Sequence, residues 1–89
     1  MHDEADNHWY IEEFEPELRD LCSVKAEEFS LLGYDKVSSE DIWNCVQSMT
    51  KGRASLHEFV AMILSLQVGQ FMNYETMNAF KGLIGEAKV

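Results

Sequence analysis

Residues 55–74 read SLHEFVAMILSLQVGQFMNY, and this stretch decides the fold. Within it, the sixteen residues 59–74 carry no charged side chain. At 100° per residue, most of the large apolar side chains share one broad face of a helix. The run is shorter than the ~20 mostly apolar residues of a membrane span, and it includes Ser65, Gln67 and Asn73. These features predict a central buried helix over residues 56–72, which the rest of the domain or a partner must cover.

The length of the chain, 89 residues, is that of one domain. Its 46% hydrophobic residues can form a compact core, and its single proline argues against a disordered chain. We expect a flexible acidic N-terminus over residues 1–8 and a single helical domain over residues 9–85. Because so small a domain buries only about 60% of its unfolded surface, homodimerisation or a bound partner would add stability.

The first long helix is predicted to begin near Glu15, where Pro16 suits the first turn. Its apolar positions recur at helical spacing, and we expect them to face the core: Leu18, Leu21, Cys22, Phe29 and Leu32. Gly33 follows as a left-handed stop, and Tyr34 is the apolar residue that often accompanies such a stop. The helix is therefore predicted to end next to Gly33.

Two capping signals mark the helices that follow. Ser38 precedes Asp41 by three residues, and Ser55 precedes Glu58 by the same spacing. In each pair the two side chains can satisfy each other's backbone N–H groups. The pairs predict a second helix that ends around Thr50 and then the start of the central helix.

The end of the central helix is less sharply marked. Gln67 and Gln70 flank Gly69, which indicates that the helix bends or ends there. Asn73 would then cap a last helix that ends near Gly85. That helix is predicted to face inward through Met77, Phe80 and Ile84.

No part of the sequence shows the sustained alternation of a strand. The pattern therefore predicts an all-α, small single-domain bundle of about four helices around the central apolar helix at 56–72. Short connections favour antiparallel neighbours in such a bundle.

The net charge of −9 is concentrated in the first third of the chain. Residues 1–30 hold ten carboxylates and two basic side chains, a balance of −8, and residues 31–89 hold six and five, a balance of −1. An acidic surface repels phosphates and disfavours nonspecific nucleic-acid binding. The simpler interpretation is a solvated face that keeps the protein soluble, and the alternative is a docking surface for a basic partner.

Sequence motifs for catalysis and cofactors are absent. There is no nucleophile elbow, glycine-rich phosphate loop, HExxH motif or EF-hand loop. His57 is expected to make a structural hydrogen bond at the edge of the central helix. Cys22, Cys45 and His57 fit no zinc spacing. We predict that the protein is not an enzyme, with no catalytic residue, cofactor or metal.

The two cysteines and the N-terminus point to a cellular compartment. Cys22 and Cys45 lie in helical patterns without a CxxC spacing, which favours buried free thiols in a reducing environment. The N-terminal residues are acidic and lack the apolar segment of a signal peptide. We therefore expect a cytoplasmic protein without membrane insertion.

Two groups of residues are candidates for binding. Trp43, Phe71, Met72 and Tyr74 are of the types that anchor protein interfaces, and their alternative role is in the core. Trp43 lies at the edge of its helix face, where partial exposure is expected. Lys51 and Arg53, together with Lys36 and Lys81, could form a small basic patch that contacts RNA.

The order and spacing of several short segments resemble a known family. They are Lys25–Phe29, Leu31–Tyr34, Glu40–Trp43, Leu56–His57, Ile63–Leu66 and Phe71–Tyr74. Over residues 10 to 80 they are similar to the ComN-type post-transcriptional regulators of Gram-positive bacteria. The resemblance implies a small cytoplasmic regulator that raises the level of a competence-operon transcript, with the pole and septum scaffold DivIVA as a partner. It implies no catalytic residue and no cofactor.

This chain departs from that family between its second and third helices, where relatives often have a longer, lysine-rich connection. Here the connection is only Met49–Arg53. We therefore expect a non-enzymatic regulator or adaptor that influences mRNA abundance mainly through protein–protein contacts, so that any contact with mRNA is indirect. One alternative is direct RNA binding through the basic patch. Another is a structural module that docks on a cell-pole scaffold, with recruitment to the division site or the pole.

Overall fold

The computed structural model describes the backbone of residues 10–88 and the side chains of residues 11–81. This part of the chain contains five α-helices and no strand. In chain order they are α1 Tyr10–Glu13, α2 Glu15–Leu31, α3 Ser39–Thr50, α4 Leu56–Ser65 and α5 Val68–Lys88. The all-α prediction is confirmed. The expected flexible segment 1–8 lies outside the described residues.

The predicted helix boundaries are confirmed where short-range hydrogen bonds set them. At the end of α2, Gly33 has a φ of +102°. There the Tyr34 N–H donates to the Phe29 carbonyl at 2.9 Å and the Gly33 N–H donates to the Ser30 carbonyl at 3.0 Å. This is the hydrogen-bond pattern of a Schellman motif. Leu32, expected to face the core, is instead exposed because the chain turns away at Gly33.

Both capping boxes form as predicted. The Ser38 hydroxyl accepts from the Asp41 N–H at 3.1 Å, and the Asp41 carboxylate accepts from the Ser38 N–H at 2.9 Å. Ser55 and Glu58 repeat the arrangement at 3.2 and 3.1 Å. These boxes fix the first turns of α3 and α4.

The core lies between α2, α3 and α4, and α2 and α3 form the largest helix–helix contact. Helix α1 packs on α2 and α4, and α5 packs on α3. The fully buried apolar side chains come from every long helix and from the α4–α5 junction, and they include Phe29, Ile42, Phe59, Ile63, Leu66 and Phe71. None of the helices among the described residues is long and apolar enough to cross a membrane.

The central helix expected over residues 56–72, with a bend or an end near Gly69, is interrupted a few residues earlier, so its predicted bounds are wrong. Helix α4 ends at Ser65, Leu66 is extended (ψ 129°), and α5 begins at Val68. The Gln67 N–H donates to the Gln70 side-chain oxygen at 2.9 Å, so Gln70 satisfies a backbone donor at the start of α5. The break lets Leu66 and Phe71 both enter the core. Asn73, expected to cap the last helix, is an exposed residue inside α5.

Candidate protein-interaction surface

Trp43 is a core residue, 7% exposed, so the expected partial exposure is wrong. The centroids of the Trp43 and Phe59 rings are 5.3 Å apart. The Cζ atom of Arg19 lies 4.3 Å from the centroid of the Trp43 ring. Arg19 donates to the Glu15 carboxylate at 2.9 Å and to the Glu40 carboxylate at 2.7 Å. These two hydrogen bonds raise the pKa of Arg19, which keeps a charged guanidinium over the indole. Whether Trp43 also contacts a partner stays a prediction.

The other three predicted anchors divide between core and surface. Phe71 is fully buried, with its ring 5.8 Å from Phe29 and 6.1 Å from Tyr74. Tyr74 is half-buried and Met72 is exposed. The structure therefore brings Phe71 and Tyr74 together, while Met72 is the member of the three that is open to solvent.

The prediction that Met77 and Phe80 face inward is wrong, because these side chains are 53% and 62% exposed. Phe80 follows Phe71 by nine residues, which is 2.5 helical turns, so the two side chains leave α5 in opposite directions. Because Phe71 enters the core, Phe80 must point away from it. Ile84, the third residue of that prediction, lies outside the described side chains.

Past Tyr74, α5 has no buried side chain up to the end of the described side chains. Every side chain from Glu75 to Lys81 is exposed. At 100° per residue, Met72, Met77 and Phe80 fall within an arc of about 140°. We call these three residues the α5 strip. Its three large apolar side chains are exposed on the described part of the domain, and smaller polar side chains lie between them on the same face.

The predicted RNA-contact residues lie on the turn between α3 and α4. Lys51 and Gly52 both have left-handed backbones, with φ of 55° and 73°, and the Lys51 N–H donates to the Gln47 carbonyl at 2.9 Å. The Lys51 and Arg53 side chains are exposed. Among the described residues neither forms an ion pair. They therefore present two free positive charges.

Sequence reasoning missed Lys25, a buried lysine of α2 that is 5% exposed. Its ammonium donates to the Leu64 carbonyl at 3.0 Å and lies 3.1 Å from the Glu28 carboxylate. It thus satisfies a carbonyl in the last turn of α4, where helices leave carbonyls unpaired. Lys25 continues the spacing of Leu18, Cys22 and Phe29, a signal that could have placed it on the buried face.

Of the residues considered as metal ligands or catalytic groups, the two cysteines are buried and the histidine is exposed. Cys22 and Cys45 are buried free thiols, and burial raises the pKa of each from its ordinary value of 9.0 to about 11. His57 is exposed in the first turn of α4. Within the described residues no three His, Cys, Asp or Glu side chains are grouped so that they could hold a metal ion.

Comparisons with known proteins agree with the resemblance seen in the sequence. Residues 11–84 match the family described as "Post-transcriptional regulator". The post-transcriptional regulator ComN of Bacillus subtilis (strain 168) is 37% identical over 71 residues, which cover 76% of this chain and 72% of that protein. No solved structure matches the chain significantly. The chain therefore belongs to the post-transcriptional regulator family.

Proposed function

We propose that this post-transcriptional regulator is a non-enzymatic adaptor that influences mRNA abundance through protein contacts, and that it docks a protein partner on the α5 strip. One observation carries the proposal: Met77 and Phe80 are exposed on the side of α5 that points away from Phe71 and the core. Large apolar side chains that are exposed together on one helix face are typical of a helix that binds another protein.

The composition of the strip supports this role. Aromatic and methionine side chains are enriched at protein interfaces, and a few anchor residues often contribute most of the binding energy. The nearest charged residues on the helix, Glu75 and Lys81, have opposite signs. The strip is therefore close to neutral in a protein of charge −9, so long-range repulsion hinders the approach of a partner less there than at the acidic first third.

The environment of the thiols and the histidine supports a role without catalysis. With pKa values of about 11, the Cys22 and Cys45 thiols stay protonated at neutral pH and are poor nucleophiles. His57 is exposed at the start of α4. We expect His57→Gln to leave regulation unchanged, and a folded but inactive His57→Gln protein would argue for chemistry instead.

Direct RNA binding through Lys51 and Arg53 is the competing candidate. The observation in its favour is that both side chains are exposed and free of ion pairs within the described residues. Two cations provide few phosphate contacts, and affinity for nucleic acid grows with the number of such contacts. Protein contacts are therefore the better-supported mechanism.

Ultraviolet cross-linking in cells separates the two mechanisms. The adaptor should be recovered without covalently attached RNA after stringent purification. Cross-linked RNA above the level of an unirradiated sample, mapped to the Lys51–Arg53 turn, would favour direct binding instead. A lost cross-link in Arg53→Gln, but not in Lys81→Gln, would identify that turn as the contact.

Capture of a purified partner tests the docking surface. The resemblance makes a DivIVA-type scaffold the first partner to try. A fluorescent fusion of the protein, which we expect in the cytoplasm, should then be recruited to the pole or division site. Phe80→Ser should weaken capture about 30-fold, the loss of a typical interface anchor. Leu31→Ser is the matched control, because Leu31 is 88% exposed and lies on α2. Equal capture by both variants would contradict the assignment to α5. Size measurement of the free protein would show whether a second copy covers the strip.

A further inference from the structure

A second surface, distinct from the α5 strip, is a groove of about 410 Å³ beside the α3–α4 turn. We call it the α4 groove. Ala54, Ala61 and Met62 form its apolar floor, and Thr50 and Ser65 also line it. Its volume lies within the ~300–1,000 Å³ of small-molecule and side-chain pockets. The groove can therefore accommodate a large apolar side chain of a partner.

Two charged residues, Arg53 and Glu58, line the α4 groove. The Glu58 carboxylate already accepts the Ser55 N–H at 3.1 Å as part of the capping box. In the described structure Arg53 has neither an ion pair nor a side-chain hydrogen bond. Arg53 therefore keeps all of its donors for a partner, whereas Glu58 has one oxygen engaged in the cap and one free.

The chain around the groove is locally positive. Residues 42–58 contain Lys51, Arg53 and a single carboxylate, that of Glu58, a balance of +1 in a chain whose whole charge is −9. A guanidinium binds a carboxylate through two parallel hydrogen bonds, which are stronger than neutral ones. The charge and the apolar floor together define the chemistry of an occupant.

We infer that the α4 groove binds an acidic peptide segment of a second protein. An apolar side chain of that segment lies on Ala54, Ala61 and Met62, and a neighbouring Asp or Glu pairs with Arg53. Lys51, two residues away on the same turn, attracts the same acidic segment at longer range. The regulator then has two binding surfaces, this groove and the α5 strip, as a protein that connects two others requires.

The lining favours a peptide over RNA. Single-stranded RNA is held by bases stacked on exposed aromatic rings as well as by phosphate contacts. The α4 groove has no aromatic side chain in its lining. An adjoining groove of about 540 Å³ is lined by Phe59, but that ring is buried, and Glu12 places a carboxylate there.

Peptide display tests this inference without knowledge of the natural partner. A library of random dodecapeptides is selected on the full-length protein and counter-selected on Ala61→Glu, which places a carboxylate on the apolar floor. Ala61 is exposed on α4, so this change should leave folding intact. The expected result is enrichment of sequences that combine Asp or Glu with a large apolar residue.

Fluorescence polarisation of one selected peptide then assigns the contact. Arg53→Gln should weaken binding about tenfold, the loss of one charge-assisted hydrogen-bonded pair. Lys81→Gln, which makes the same charge change on α5, and Phe80→Ser should leave binding unchanged. Failure of the α5 strip proposal would not alter these results.

Three outcomes would overturn the inference. The first is that no peptide is enriched, or that the enriched peptides lack acidic residues. The second is that the selected peptide binds Arg53→Gln as tightly as the wild type. The third is that oligouridylate binds with a steep salt dependence that Arg53→Gln removes, which would make the turn an RNA site.

Discussion

Replacing Lys25 with methionine tests how α2 holds the end of α4. Methionine keeps most of the apolar length of lysine but removes the ammonium, which lies 3.0 Å from the Leu64 carbonyl and 3.1 Å from the Glu28 carboxylate. A hydrogen bond to a charged group contributes about 1.5–3 kcal/mol, and the pair with half-exposed Glu28 adds about 0.2–1 kcal/mol. Removing the desolvation cost of the buried ammonium offsets part of this loss.

We expect Lys25→Met to lower the free energy of unfolding by about 2 kcal/mol in total. In a domain of this size that lowers the melting temperature by about 10 °C. Urea unfolding followed by circular dichroism measures the change in unfolding free energy. Glu28→Gln is the matched control, because it weakens the ion pair and leaves the Leu64 hydrogen bond, and it should cost no more than about 0.5 kcal/mol. If Lys25→Met is as stable as the wild type, the ammonium contributes no net stability and the reasoning fails.

Three further substitutions and one labelling experiment test other features of the fold. Trp43→Ala should lower the free energy of unfolding by about 3–5 kcal/mol, because a buried ring is removed. Unchanged stability in chemical denaturation would refute the place of Trp43 in the core. The Cys22 and Cys45 thiols should react with Ellman's reagent at mildly alkaline pH only after unfolding. Since their folded pKa of about 11 exceeds the ordinary 9.0, their contribution to stability should be complete below pH 9.0 and decline as the pH rises towards 11. Rapid labelling of the folded protein by Ellman's reagent would contradict the burial of these thiols. Ser38→Ala should lower stability by about 1 kcal/mol through loss of the α3 cap, and Gly33→Ala by a similar amount through strain at a φ of +102°; thermal melts with no shift for either would refute the assigned roles.

The parts of the fold that sequence predicts well are those that neighbouring residues decide. The pairs Ser38–Asp41 and Ser55–Glu58 each define a helix start within four residues, and Gly33 needs only its own backbone freedom. The break after Ser65 depends on more distant contacts, because both Leu66 and Phe71 reach the core only if the helix is interrupted. Periodicity alone could not choose between a bent helix and two helices.

The candidate surface shows the same limit. Residue type identified Trp43 and Phe71 as anchors, but type does not distinguish a ring in an interface from a ring in a core. The register of α5 decides the matter, since the helix passes through Asn73 without a break and turns Met77 and Phe80 away from the core. Lys25 was missed because its partner, the Leu64 carbonyl, is a backbone atom 39 residues away.

The uncharged segment 59–74 is only partly covered by the domain. Phe59, Ile63, Leu66 and Phe71 are buried, whereas Leu64 and Met72 remain exposed. The domain therefore covers one part of this segment. We propose that partners cover residues of the other part, Met72 in the α5 strip and Ala61 and Met62 in the α4 groove.

Transcript abundance in cells tests the central claim most directly. Strains that express wild-type, Phe80→Ser or Leu31→Ser protein at matched levels are compared for the abundance of the regulated transcript, starting with the competence operon that the resemblance implies. We predict that Phe80→Ser, with an unchanged melting temperature, strongly reduces regulation while Leu31→Ser retains it. Full regulation by Phe80→Ser would show that the α5 strip is not the surface through which this protein acts.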